Sequence, residues 1–115
     1  MKVELPADSQ LLRIFISEQD RYQGRPLYEA LVLKAREAGM AGATVLRGPL
    51  GFGHSSHLHS AKILRLSDDL PLVVEIVETQ AKIDAFLPVL DEMLQSGLVT
   101  IEKARVLRYG PGRND

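Results

Sequence analysis

Cysteine is absent from this chain of 115 residues. Its absence excludes a disulfide framework, thiolate metal ligation and a cysteine nucleophile, and nothing points to an oxidising compartment. Long apolar runs are absent too. The aliphatic stretches fall well short of the roughly twenty residues of a membrane span, and residues 1–8 are short and polar, so a cytoplasmic protein is expected. Neither sign of charge dominates: 14 Lys and Arg stand against 15 Asp and Glu, a net charge of −1. A general nucleic-acid or membrane-surface binder would show a basic excess, so no nucleic-acid partner is expected and an anion would need a local cluster of donors. Asparagine occurs once, at Asn114.

What is present, 45% hydrophobic and 25% charged residues, fits a single domain over residues 1–115 with one modest core. The core is expected at residues 10–109, and the polar segment 110–115 should form a flexible tail. Alternation of Leu12, Ile14 and Ile16 predicts a strand over residues 11–17, whose other face is partly apolar through Leu11 and Phe15. After a polar connection, Pro26 is placed to open a helix reaching Ala38, with Leu27, Leu31, Ala35 and Ala38 at helical spacing and Gly39 as its stop. Residues 42–46 predict a second strand, 62–66 a strand or extended arm, and Ser67-Asp68-Asp69-Leu70-Pro71 a turn. Residues 72–78 are apolar on both faces around Glu75, as in a strand central to a sheet. Thr79 caps a second helix whose stripe is Ile83, Phe86, Leu87, Leu90, Met93 and Leu94. Pro88 predicts a kink or early break in it, and Gly97 its end. Residues 98–101 and 104–109 supply one or two closing strands.

The order strand, helix, strand, strand, helix, strand is a split βαβ pattern. It predicts an α+β fold, a ferredoxin-like βαββαβ sandwich with an antiparallel four-stranded sheet and two helices on one face. Leu11, Phe15, Val73 and Val77 on the opposite face would meet water in a monomer, so an oligomer joined through its sheets is expected.

A stable fold alone does not require the connection Arg47-Gly48-Pro49-Leu50-Gly51-Phe52-Gly53-His54-Ser55-Ser56-His57-Leu58-His59. It gathers three glycines, two serines and all three histidines of the chain. Successive free N–H groups in such a stretch can close around an anion. The stretch lacks the third glycine of a dinucleotide fingerprint, and no Gly-Lys-Ser/Thr follows, so a solvated hairpin loop stands beside the anion-binding reading.

Gly51-Phe52-Gly53-His54, set between the second and third strands, resembles the core of the T-loop of the PII signalling proteins, and residues 70–77 resemble the strand that leaves that loop. Arg25-Pro26-Leu27-Tyr28-Glu29, Gly42-Ala43-Thr44-Val45-Leu46-Arg47-Gly48, Leu66-Ser67-Asp68-Asp69-Leu70-Pro71 and Arg105-Val106-Leu107-Arg108-Tyr109 more closely resemble an uncharacterised PII-like family, a domain of unknown function related to the nitrogen regulatory PII proteins. The resemblance implies a PII-like signalling or regulatory homotrimer. A small-molecule ligand, an adenine nucleotide, would occupy clefts between subunits, and the 47–60 loop would act on a partner such as a membrane transporter or other regulated protein. The chain departs from PII proteins at residues 96–103, which keep one glycine and a displaced lysine where those proteins carry Thr-Gly-x-x-Gly-Asp-Gly-Lys. It also lacks the loop tyrosine some of them modify, so uridylylation is not expected.

The candidate ligand-binding residues are Arg47, Gly48, Gly51, Phe52, Gly53, His54, Arg105 and Arg108. Arg105 and Arg108 are expected in the last strand, where the resemblance aims arginines at phosphates, and a guanidinium fork pairs with phosphate oxygens. Arg21, Tyr22 and Arg25 line the same cleft or form a structural turn. The alternative is a metal-binding trimer of the copper-tolerance type using His54, His57 and His59, since imidazole suits zinc, copper or nickel. Against it, the loop holds no carboxylate or cysteine to complete a site. An enzyme is not expected. Acylphosphatases share the fold but need an asparagine to place water, and Asn114 lies in the tail.

Overall fold

The computed structural model describes residues 5–48, 50–51, 59–60 and 70–110. Alternation along the first strand decides the layering: in β1 (Asp8–Ser17), Leu12, Ile14 and Ile16 are buried, while Leu11, Arg13 and Phe15 are half-exposed on the other side. The strand begins earlier than its apolar period predicts, because Asp8 and Ser9 pair with Arg105 and Ala104 across the sheet. Helix α1 (Leu27–Glu37) starts at Leu27, with Pro26 as its extended N-cap, and buries Leu27, Ala30, Leu31 and Ala35. Ala38 is the exposed C-cap rather than part of the stripe.

Strand β2 (Thr44–Arg47) and strand β3 (Pro71–Glu78) follow, then helix α2 (Gln80–Met93) and strand β4 (Leu98–Arg105). The sheet order is β2-β3-β1-β4 with every neighbouring pair antiparallel. Among the described residues this is the ferredoxin-like α+β arrangement the element order predicts, with β3 interior to the sheet. The core lies between the sheet and helices, where Leu12, Ile14, Leu72, Val74 and Ile76 meet Leu31, Ile83, Phe86 and Leu90.

Two expectations need correction. Helix α2 does not break at Pro88; it runs on to Met93, because Phe86 and Leu90 on either side of the exposed proline are both buried. It ends at Leu94, whose backbone is extended, before Gly97 is reached. The last strand is single and stops at Arg105, so Arg108 and Tyr109 lie beyond it. The register pairs Arg105 with Asp8, the first residue of β1, and past that pair one further backbone bond, Val106 N to Ala7 O, holds the chain.

The face of the sheet away from the helices is laid out in rows by the registers. One row, Leu46, Val73, Phe15 and Leu98, is apolar across all four strands, and Leu46 and Leu98 are about half exposed. The next row runs Thr44, Glu75, Arg13 and Thr100, and the third holds Val77, Leu11 and Glu102. Arg13 joins the last two rows: its Nε donates to Glu75 Oε2 at 3.0 Å and its terminal nitrogen to Glu102 Oε1 at 2.6 Å. The hydrogen bond to Glu75, with the field of Glu102 behind it, raises the Arg13 pKa above the ordinary arginine value. That contribution is in place at every pH below the ordinary value and fades only above it, so Arg13 stays charged throughout the working range.

Candidate functional site

The sheet carries two candidate clusters, one at each end. At the first end, β1 delivers Ser17 opposite Pro71, β2 delivers Arg47 opposite Leu72, and β4 begins with Leu98 opposite Phe15. Backbone bonds draw the turn after β1 against the returning arm and the two arms against each other: Glu18 N donates to Leu70 O at 2.9 Å, and Gly48 N donates to Pro71 O at 2.8 Å. The Glu18 carboxylate completes the junction as the ion-pair partner of Arg47. A side chain at Gly48 would put its Cβ 3.1 Å from Pro71 Cγ, so the close approach of the two arms favours glycine. Gly97 sits at the same end with φ at 130°, and a Cβ there would meet the Phe15 carbonyl at 2.8 Å. Only glycine fits that turn.

The turn continues into a short hairpin, Arg21–Tyr22 against Arg25–Pro26, whose two linking residues Gln23 and Gly24 both have positive φ. This is the geometry of a tight two-residue hairpin turn. Asp20 fixes its base, accepting Ser17 N at 2.9 Å through its side chain and Leu27 N at 2.8 Å through its carbonyl. Arg21 and Arg25 are exposed and form no ion pair among the described residues.

The second end holds the other candidates. Arg105 closes β4 opposite Asp8, and the chain beyond it is tied down twice, by Val106 N donating to Ala7 O and by Tyr109 Oη donating to Ala41 O, each at 2.8 Å. Arg108 lies between these two anchors, exposed and without an ion pair among the described residues. Beneath Tyr109, the α1–β2 connection is held by Glu78, whose carboxylate is fully buried and accepts Ala41 N at 2.7 Å and Thr79 N at 2.8 Å. Lys82 joins the same cluster, donating to Gly39 O at 3.0 Å with its ammonium 3.9 Å from Glu78.

The structure therefore divides the expected ligand set. Arg47 and Gly48 stand at one end of the sheet, and Arg105 and Arg108 at the other, separated by the length of β4, roughly 24 Å at about 3.4 Å per residue. Gly51 belongs to a short ladder in which Leu50 and Gly51 pair with Ser60 and His59. Phe52, Gly53, His54 and His57 lie outside the described residues, as do the expected arm over residues 62–66 and the tail beyond Gly110. Residue-by-residue reading missed Glu18, because its partner Arg47 is 29 positions away and no local pattern links them. Among the described residues no helix is long and apolar enough to cross a membrane.

Comparison with known proteins places this geometry in a family. Residues 9–106 match the model of DUF190, described as Uncharacterized ACR, COG1993. The chain belongs to that family. It is 39% identical over 97 residues to a UPF0166 protein of Aquifex aeolicus, covering 84% of this chain and 91% of the relative. A UPF0166 protein of Methanocaldococcus jannaschii is 31% identical over 101 residues, covering 87% and 93%. Among solved structures, the chain is similar to CPII, a nitrogen regulatory PII-like protein from Thiomonas intermedia K12 bound to ADP, AMP and bicarbonate. That match has a TM-score of 0.59 at 16% identity and covers 88% of this chain and 90% of CPII. At that identity it establishes a shared PII-like fold.

Proposed function

We propose that this DUF190 protein is a PII-like regulator of the cytoplasm, a homotrimer that holds an adenine nucleotide in clefts between subunits. It signals to a membrane transporter or other regulated protein through the 47–60 connection. The observation that carries this is the division of the arginines between the two ends of the sheet. Arg47 and Arg108 cannot reach one phosphate chain within a single copy, whereas a boundary between copies can bring the Arg47 end of one subunit to the Arg108 end of the next. The ADP and AMP held by CPII, on the same fold, support the choice of ligand class. The apolar row Leu46, Val73, Phe15 and Leu98 supports assembly through the sheets.

Binding without catalysis is part of the proposal. The carboxylates brought onto the open face, Glu75 and Glu102, are both engaged by Arg13 and are not paired for acid–base work. A thermal-shift panel of AMP, ADP, ATP, Zn²⁺, Cu²⁺ and Ni²⁺ tests the ligand class. A nucleotide at about one hundred times its Kd stabilises the folded state by about 2.7 kcal/mol, which raises the melting temperature by several degrees. A rise with metals and none with nucleotides would favour the histidine site over this function.

A further inference from the structure

Glu18 is bonded to both arms of the connection that the proposed function makes the signalling element. Its backbone N–H holds Leu70 on the returning arm at 2.9 Å, and its carboxylate holds Arg47 on the departing arm. The carboxylate is the more enclosed partner, 18% exposed against 55% for the Arg47 side chain. The guanidinium therefore reaches in from solvent to a carboxylate fixed in a turn, and that turn is itself locked by Asp20. Of the pair, Arg47 is the partner that an anion in solvent can reach.

Resting on the nucleotide reading above, we propose that Glu18 is an internal competitor for the phosphate-binding Arg47, so that ligand phosphate and the Glu18 carboxylate exchange for one guanidinium. In the ligand-free chain Arg47 is neutralised in place, which keeps an exposed cation off other anions. When a phosphate takes Arg47, the side-chain link between the departing arm and the turn opens. The backbone links through Leu70 and Pro71 remain. Ligand occupancy is thereby converted into a change at the root of the connection. A carboxylate that only oriented Arg47 toward ligand would act in the opposite sense, since removing it would weaken binding.

Calorimetry with ADP on wild type, Glu18→Gln, Arg47→Ala and the double variant tests the competition. Glu18→Gln keeps the shape and loses the charge, and is expected to bind ADP about two- to fivefold more tightly, the range of a partly exposed ion pair released from competition. In the Arg47→Ala background the same substitution is expected to give no gain, because there is no shared guanidinium to free. Weaker or unchanged binding by Glu18→Gln overturns the competition while leaving the nucleotide reading standing. An equal gain in both backgrounds also overturns it, since that is the signature of a general field from the carboxylate. Binding by Glu18→Gln where wild type binds nothing supports it, and no binding by either protein removes both proposals. Glu18→Asp, which shortens the reach by one methylene, is expected to shift affinity in the same direction as Glu18→Gln. Urea unfolding of each variant verifies that the fold is retained.

Discussion

The fully buried carboxylate of Glu78 accepts the backbone N–H of Ala41 at 2.7 Å, fastening the α1–β2 connection to the end of β3. The same carboxylate accepts Thr79 N, so one side chain satisfies two backbone donors. Glu78→Ala would leave both donors unpaired and is expected to destabilise the fold by about 3 kcal/mol. Glu78→Gln, which retains one acceptor oxygen, should cost less. A lower urea midpoint at unchanged slope for both, in that order, is the expected result, and an Ala variant as stable as wild type would remove the role of the clamp.

Pro88 gives a prediction of the opposite sign. It stands exposed inside α2 and offers no N–H to the carbonyl of Asp84, while the helix continues past it with Phe86 and Leu90 both buried. Pro88→Ala restores the missing bond and a residue suited to the helix. It is expected to stabilise the protein by about 1–3 kcal/mol, seen as a higher melting temperature. A lower melting temperature would show that α2 depends on the proline ring for its path.

These two residues also mark what the sequence discloses and what it withholds. The layering was legible, because Leu12, Ile14 and Ile16 alternate along β1 and Ile83, Phe86, Leu90 and Met93 recur along α2, and burial follows those periods. Thr79 was legible as a cap, and its side chain accepts Lys82 N at 3.2 Å. The break at Pro88 was not realised, since a local penalty of a few kcal/mol is smaller than the burial of the stripe on both sides of it. The end of the last strand was misjudged for a different reason. Residues 104–109 carry strand-like composition, but pairing depends on where β1 begins, which is fixed more than ninety positions earlier in the chain. Separation along the chain likewise hid Glu18 from Arg47, 29 positions on. A motif shows which residue types are present and leaves open which end of the sheet each one reaches.

Assembly through the open sheet face predicts a specific sensitivity. Phe15 lies in the middle of the apolar row, between Val73 and Leu98, and is half-exposed in one chain. Light scattering of the wild type should give about three times the chain mass, as expected for a closed C3 assembly. Phe15→Asp would bury a charge without a partner in the assembled state and leave it hydrated in the free chain. The variant is expected to scatter as a monomer with an unchanged far-ultraviolet spectrum. A trimeric Phe15→Asp protein would place the interface elsewhere, and a monomeric wild type at micromolar concentration would end the assembly proposal.

The separation of Arg47 from Arg108 permits a sharper test of where the ligand sits. Each arginine, if it pairs with phosphate, contributes a charge-assisted bond of about 1.5–3 kcal/mol, so Arg47→Ala and Arg108→Ala should each weaken ADP binding roughly ten- to a hundredfold. That loss alone does not say whether both act on one ligand. Lying at opposite ends of β4, they can meet at a single phosphate chain only if two subunits supply them. Unfolding the two variants together and reassembling them at equal amounts makes mixed trimers. At a boundary where the Arg47 end comes from the Arg108→Ala chain and the Arg108 end from the Arg47→Ala chain, both guanidinium groups are intact. Random mixing puts about a quarter of boundaries in that state, and that fraction of wild-type, tight ADP sites should return. The two variants reassembled separately should recover none. Recovery in the mixture identifies a shared site between subunits. Its absence, with each single variant still impaired, would show that the arginines serve separate anions at the two ends of one chain.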